Sequence, residues 1–113
     1  LVACYDGTNF RNISVAGFPV NTWRQLVAVF DFVSDTLTVY KNGVVAGSVS
    51  LSGVGQVSNT SPIAIGSRLL SNGTPLSAIM YKGSVGIIRM YSKSLTADDV
   101  LYNFTTTKST YGL

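Results

Sequence analysis

The sequence predicts an all-β domain, an antiparallel sandwich with one short C-terminal helix, and three observations predict it. Ser and Thr supply more than a fifth of the 113 residues, with 11 Gly, and they separate short runs rich in Val, Ile, Tyr and Phe. Those runs recur about every 8 to 12 residues, the spacing of a sandwich or barrel. Asn42-Gly43 stands between two of them, where a type I′ hairpin turn needs positive φ at both central positions. A chain of this length holds one core, so residues 1–113 are expected to form a single domain.

Taken in order, strands are predicted over residues 2–5, 13–15, 24–32, 36–41, 44–50, 63–67 and 83–91. The stretch from Trp23 to Ser50 reads as a three-strand meander whose second turn is Asn42-Gly43. In its middle strand Leu37 and Val39 share one face, expected to be core, and Thr36, Thr38 and Tyr40 share a wetter one. Residues 24–32 are apolar on both parities, as are 85–90, so both segments are expected to be internal strands covered on two sides. Near the end, Thr96 followed three residues later by Asp99 predicts a capped helix start, and Asp98 and Asp99 suit the positive end of its dipole. Residues 52–62 and 69–78 read as the largest loops, the places where a sandwich usually carries recognition.

Composition excludes most enzyme chemistry. The chain has five acidic residues, all aspartate, and neither Glu nor His. A paired-Glu glycosidase, a His-based triad and a His-ligated zinc centre each lack an essential residue. The formal net charge is +3, but the eight Lys and Arg are scattered singly, so no basic stripe suggests nucleic-acid binding. Cys4 is the only cysteine, which excludes an intrachain disulfide and suits a small buried hydrophobe. No apolar run of about 18 residues predicts a membrane span. The chain opens at Leu1 without the basic and apolar regions of a signal peptide, so it is expected to be either trimmed or part of a longer product.

Five segments occur in a familiar order: Asn21-Thr-Trp-Arg-Gln-Leu-Val-Ala-Val-Phe-Asp, Leu37-Thr-Val-Tyr-Lys-Asn-Gly, Pro62-Ile-Ala-Ile-Gly, Tyr81-Lys-Gly-Ser-Val-Gly-Ile-Ile-Arg-Met-Tyr and Ser94-Leu-Thr-Ala-Asp-Asp-Val. Together they resemble the laminin-G-like jelly roll of the concanavalin A-like lectin/glucanase superfamily. The resemblance implies a jelly-roll sandwich that lacks the N-terminal strands of the full family pattern, so that open sheet edges need a partner. Gly86 stands where the family usually keeps Asp. Its enzymatic branches use a Glu-containing strand that a chain without Glu cannot build, so the resemblance implies binding or scaffolding. The ending from Leu101 to Leu113 is similar to that of such domains in tailed-phage and other viral structural proteins.

Candidate site residues have two readings each. Trp23, Tyr40 and Tyr81 could stack on a sugar ring if exposed, and Tyr40 and Tyr81 lie beside turns. The family pattern instead makes Trp23 a core residue. Asn59 and Asn72 sit in the two long loops and are candidate ligand contacts. Asp6, Asp31 and Asp35 could offer oxygens to Ca²⁺ as some laminin-G-like domains do, or serve as turn-forming Asx residues. Asn12, Asn59, Asn72 and Asn103 each begin an N-glycosylation acceptor pattern. The leading expectation is a non-enzymatic virion structural or decoration protein, a homo-oligomer or part of a larger assembly, with weak glycan binding. The alternative is a secreted or cell-surface carbohydrate-binding adhesion module.

Overall fold

The computed structural model describes residues 1–56, 63–70 and 73–113. Its strands are β1 (Val2–Tyr5), β2 (Phe10–Ile13), β3 (Leu26–Asp31), β4 (Thr36–Lys41), β5 (Val44–Ser50), β6 (Ser67–Leu69) and β7 (Pro75–Met80), followed by helix α1 (Ala97–Thr107) and a 3₁₀ turn at Lys108–Tyr111. Every strand pairing is antiparallel: β1 with β2, β3-β4-β5 in that order, and β6 with β7. The chain divides into two compact units, one of residues 1–56 and 91–113 and the other of residues 57–90.

In the larger unit β4 is the central strand because it alone has a hairpin on each side. Its first turn carries Asp35 at φ 52° and its second carries Asn42 and Gly43 at φ 52° and 79°. Two positive φ values in succession give the type I′ turn whose twist matches the flanking strands. A register shift between Val39 and Tyr40 marks a bulge against β5.

Alternation along β4 then makes two small cores. Leu37 and Val39 are fully buried with Leu51, under Val2, Cys4 and Ile13 of the β1–β2 hairpin. On the opposite face Tyr40 joins Val29 and the helical Val100, with Val27 and Leu95 beside them. The larger unit is therefore three layers: a hairpin, a three-stranded sheet and a helix. The face expected to be wetter is dry at Tyr40 because α1 covers that end, while Thr36 and Thr38 stay half-buried. Cys4 is half-buried at the edge of the first core.

Helix α1 starts as its sequence dictates. The Asp99 N–H donates to Thr96 Oγ1 at 3.1 Å and the Thr96 N–H donates to Asp99 Oδ2 at 3.0 Å, a complete capping box.

Several expectations are corrected. The second strand is Phe10–Ile13, earlier than 13–15, because its register with β1 ends at the Val2 and Ile13 pair. The strand expected at 24–32 is limited to Leu26–Asp31 by the length of its partner, and among the described residues it is an outer strand. Val27 and Val29 face the helix, whereas Leu26 and Phe30 are exposed on the other side. In the smaller unit Gly66 takes φ 80°, which ends extended pairing through 63–66, so the strand runs Ser67–Leu69 instead. Part of the stretch expected as a loop at 69–78 belongs to β7, which Pro75 opens at the position where a missing N–H costs the ladder least. Residues 84–90 form no ladder, and Val85, Ile87, Ile88 and Met90 are exposed. β-propensity expresses itself only against a neighbouring strand, and none among the described residues pairs with this segment.

Candidate functional site

Trp23 lies at the entry to β3, held by its own neighbour: Arg24 Nη1 donates to the Trp23 carbonyl at 2.8 Å. The residue is 39% exposed, and its ring meets the Tyr111 ring with centroids 4.9 Å apart and planes tilted by 53°. Tyr111 comes from the 3₁₀ turn that follows α1, so the pair joins the start of the sheet to the end of the chain within the larger unit. Trp23 is exposed and Tyr111 half-buried, so this tilted aromatic pair lies at the surface of the larger unit. The core position expected for Trp23 is thus not the one it takes.

Tyr40 is corrected as a ligand candidate: it is 7% exposed and packs against Val29 and Val100, so no ligand can reach its ring. Tyr81 is 62% exposed and belongs to the smaller unit, where its N–H donates to the Gly66 carbonyl at 2.6 Å. Asn59 and Asn72 lie outside the described residues.

The three aspartates are engaged by N–H donors. Asp6 Oδ1 accepts the N–H groups of Thr8 (2.8 Å) and Asn9 (2.6 Å), and Oδ2 accepts the Gly55 N–H at 2.8 Å. These bonds, that of Asn9 first, then Gly55 and Thr8, hold its carboxyl well below the usual carboxylate range. Asp31 Oδ1 accepts from Val33 at 2.9 Å and Ser34 at 3.3 Å, and its carboxyl is also lowered, chiefly by the Ser34 side chain and then by the Val33 N–H. Asp35 supplies a backbone carbonyl to the Leu51 N–H at 2.7 Å. Among the described residues no three Asp, Cys, Glu or His side chains come together as metal ligands. Asp6 and Asp31 act in turns in the Asx manner, and Asp35 takes the positive-φ position of the β3–β4 turn.

A second exposed aromatic pair sits on the β1–β2 hairpin, where Tyr5 and Phe10 meet edge to face with centroids 6.5 Å apart. Their cross-strand register places them side by side. Neither this pair nor the role of Tyr111 is legible from spacing alone, since a residue far along the chain completes the first and a register completes the second.

Comparison with known proteins bears on this arrangement. A family model described as "Concanavalin A-like lectin/glucanases superfamily", of the laminin G type, matches residues 2–101. No curated protein matches the chain at a significant level. A solved structure of an S-layer domain-containing protein from Clostridium thermocellum (residues 221–444) is similar with a TM-score of 0.59 and 21% identity, over 80% of this chain and 43% of that one. The chain thus spans less than half of that structure, and the likeness is one of fold. No helix among the described residues is long and apolar enough to cross a membrane. Antiparallel strands, one C-terminal helix and a family model spanning residues 2–101 lead to one conclusion: the chain belongs to the concanavalin A-like lectin/glucanases superfamily as a laminin G-type, jelly-roll domain.

Proposed function

We propose that this chain is a non-catalytic carbohydrate-binding module of an extracellular or cell-surface protein, with Trp23 and Tyr111 as its stacking platform. The observation that carries the reading is the half-open Trp23–Tyr111 pair, an apolar ring surface beside the Arg24 and Thr22 polar groups. Absence of Glu and His supports a binding role over hydrolysis, because the glycosidase branches of the fold use a Glu-containing strand. The likeness in fold to an S-layer domain-containing protein favours a cell surface over a virion.

The module also associates with further protein subunits in this reading. Its support is the pair of outer strands β3 and β5, which display Leu26, Phe30, Val44 and Val45 to solvent.

Trp23 is the sole tryptophan, so its fluorescence reports directly on the platform. Titration with a panel of soluble oligosaccharides should quench or shift that emission for at least one of them. Trp23→Ala, followed by calorimetry, should weaken the same sugar by about tenfold or more, the equivalent of roughly 1.4 kcal/mol. A panel with no binder, or an unchanged affinity in the variant, removes the reading; stoichiometric symmetric particles without glycan affinity would restore the virion one.

A further inference from the structure

The Asn42-Gly43 turn contains the most reactive dipeptide of the described chain, and its surroundings restrain it. In an Asn-Gly pair the glycine amide nitrogen attacks the asparagine side-chain carbonyl carbon. A C–N bond forms, ammonia leaves carrying the proton that the nitrogen gives up, and water opens the resulting succinimide to aspartate or isoaspartate. Attack requires an available glycine N–H and a carboxamide free to rotate.

Gln25 occupies both groups. The Gly43 N–H donates to Gln25 Oε1 at 3.1 Å, and the Gln25 N–H donates to Asn42 Oδ1 at 3.0 Å. A third bond, from the Asn42 N–H to the Gln25 carbonyl at 3.1 Å, fixes the two segments against each other. Gln25, Asn42 and Gly43 are all at least half-buried, so these bonds are partly shielded from water. We propose that Gln25 is a clamp that keeps Asn42 from deamidating, and that Asn42 becomes a modification site when the clamp is lost.

The consequence of modification is set by packing. A Cβ on Gly43 would lie 3.0 Å from Phe104 Cδ1 and 3.2 Å from Leu101 Cδ1, so helix α1 rests directly on the turn. Isoaspartate adds one methylene to the backbone and one negative charge at the neighbouring position. The lengthened turn moves into Leu101 and Phe104 and lifts the helix from the hairpin.

The test is peptide mapping with isoaspartate detection after incubation of the folded protein in phosphate buffer at neutral pH, which also separates this site from Asn72-Gly73. A synthetic peptide of residues 38–46 is the unrestrained reference. Asn42 in the folded protein should react far more slowly than in the peptide, and Gln25→Ala, which removes the Oε1 acceptor of the Gly43 N–H and keeps the main-chain bonds of residue 25, should react about tenfold faster than the unaltered protein, the effect of losing one ordinary hydrogen bond. Gln25→Glu keeps an acceptor oxygen for Gly43 and should stay slow. Far-UV circular dichroism chooses between Gln25→Ala and the milder Gln25→Asn, too short to reach Gly43, as the variant without the clamp. Equal rates in folded protein and peptide, or a Gln25→Glu as fast as the clampless variant, overturn the proposal.

Discussion

Asp6 ties two backbone segments together through one carboxylate that accepts three N–H groups. It accepts from Thr8 and Asn9 within its own turn and from Gly55 far along the chain, while Asn9 Nδ2 donates to the Gly53 carbonyl at 2.7 Å. The folded-state pKa of Asp6 lies below the unfolded value of about 3.9, as do those of Asp31 and Asp99. Stability from such groups is fully present above the unfolded pKa and is lost as pH falls toward the folded one. Urea midpoints should therefore be level from about pH 5 to pH 8 and drop below about pH 4, and Asp6→Asn should flatten part of that acid limb. A drop of equal size in Asp6→Asn would place the acid sensitivity elsewhere. The sequence shows Asp6 as an Asx-type turn residue, yet it does not show Gly55 as its partner, because nothing local brings residue 55 to residue 6.

At the scale of elements, hairpin β4–β5 and helix α1 are written plainly in the chain. Asn42-Gly43 and the Thr96/Asp99 pair are local signals that act within four residues, and both strands and the helix start fall where they are read. Thr96→Ala should cost about 1 kcal/mol by loss of the cap, read as a lowered denaturant midpoint with an unchanged slope. Gly43→Ala should cost more, since φ of 79° alone costs an alanine about 1–2 kcal/mol and Phe104 must also move. Leu37→Ala empties a site with no solvent exposure and should cost about 2–5 kcal/mol by the same measurement. A Leu37→Ala midpoint within error of the original would mean that the hairpin layer does not close over β4. Residues 24–32 and 85–90 are less legible. Both are apolar on two parities, but β3 is covered on one face and 84–90 on no ladder, because coverage depends on what other segments arrive beside them.

At the scale of the whole molecule, the outer strands are where a further chain adds in the association proposed above. Within the described residues β3 and β5 each have one edge outside the ladder of β4. If association with further subunits is a property of this chain, native mass spectrometry should show discrete oligomers whose hydrogen exchange slows along β3 and β5 relative to a diluted monomer. Edge amides already strongly protected in the monomer would count against it.

The family, the antiparallel character and the absence of Glu- or His-based chemistry were fixed by the amino-acid order alone, since period-two patterning, turn residues and composition act locally or by simple inventory. Which aromatic rings stay open was decided only by the folded chain. Tyr40 sank beneath Val100 while Trp23 met Tyr111 at the surface, because burial is set by which distant segment arrives to cover a side chain, and no local pattern encodes that arrival.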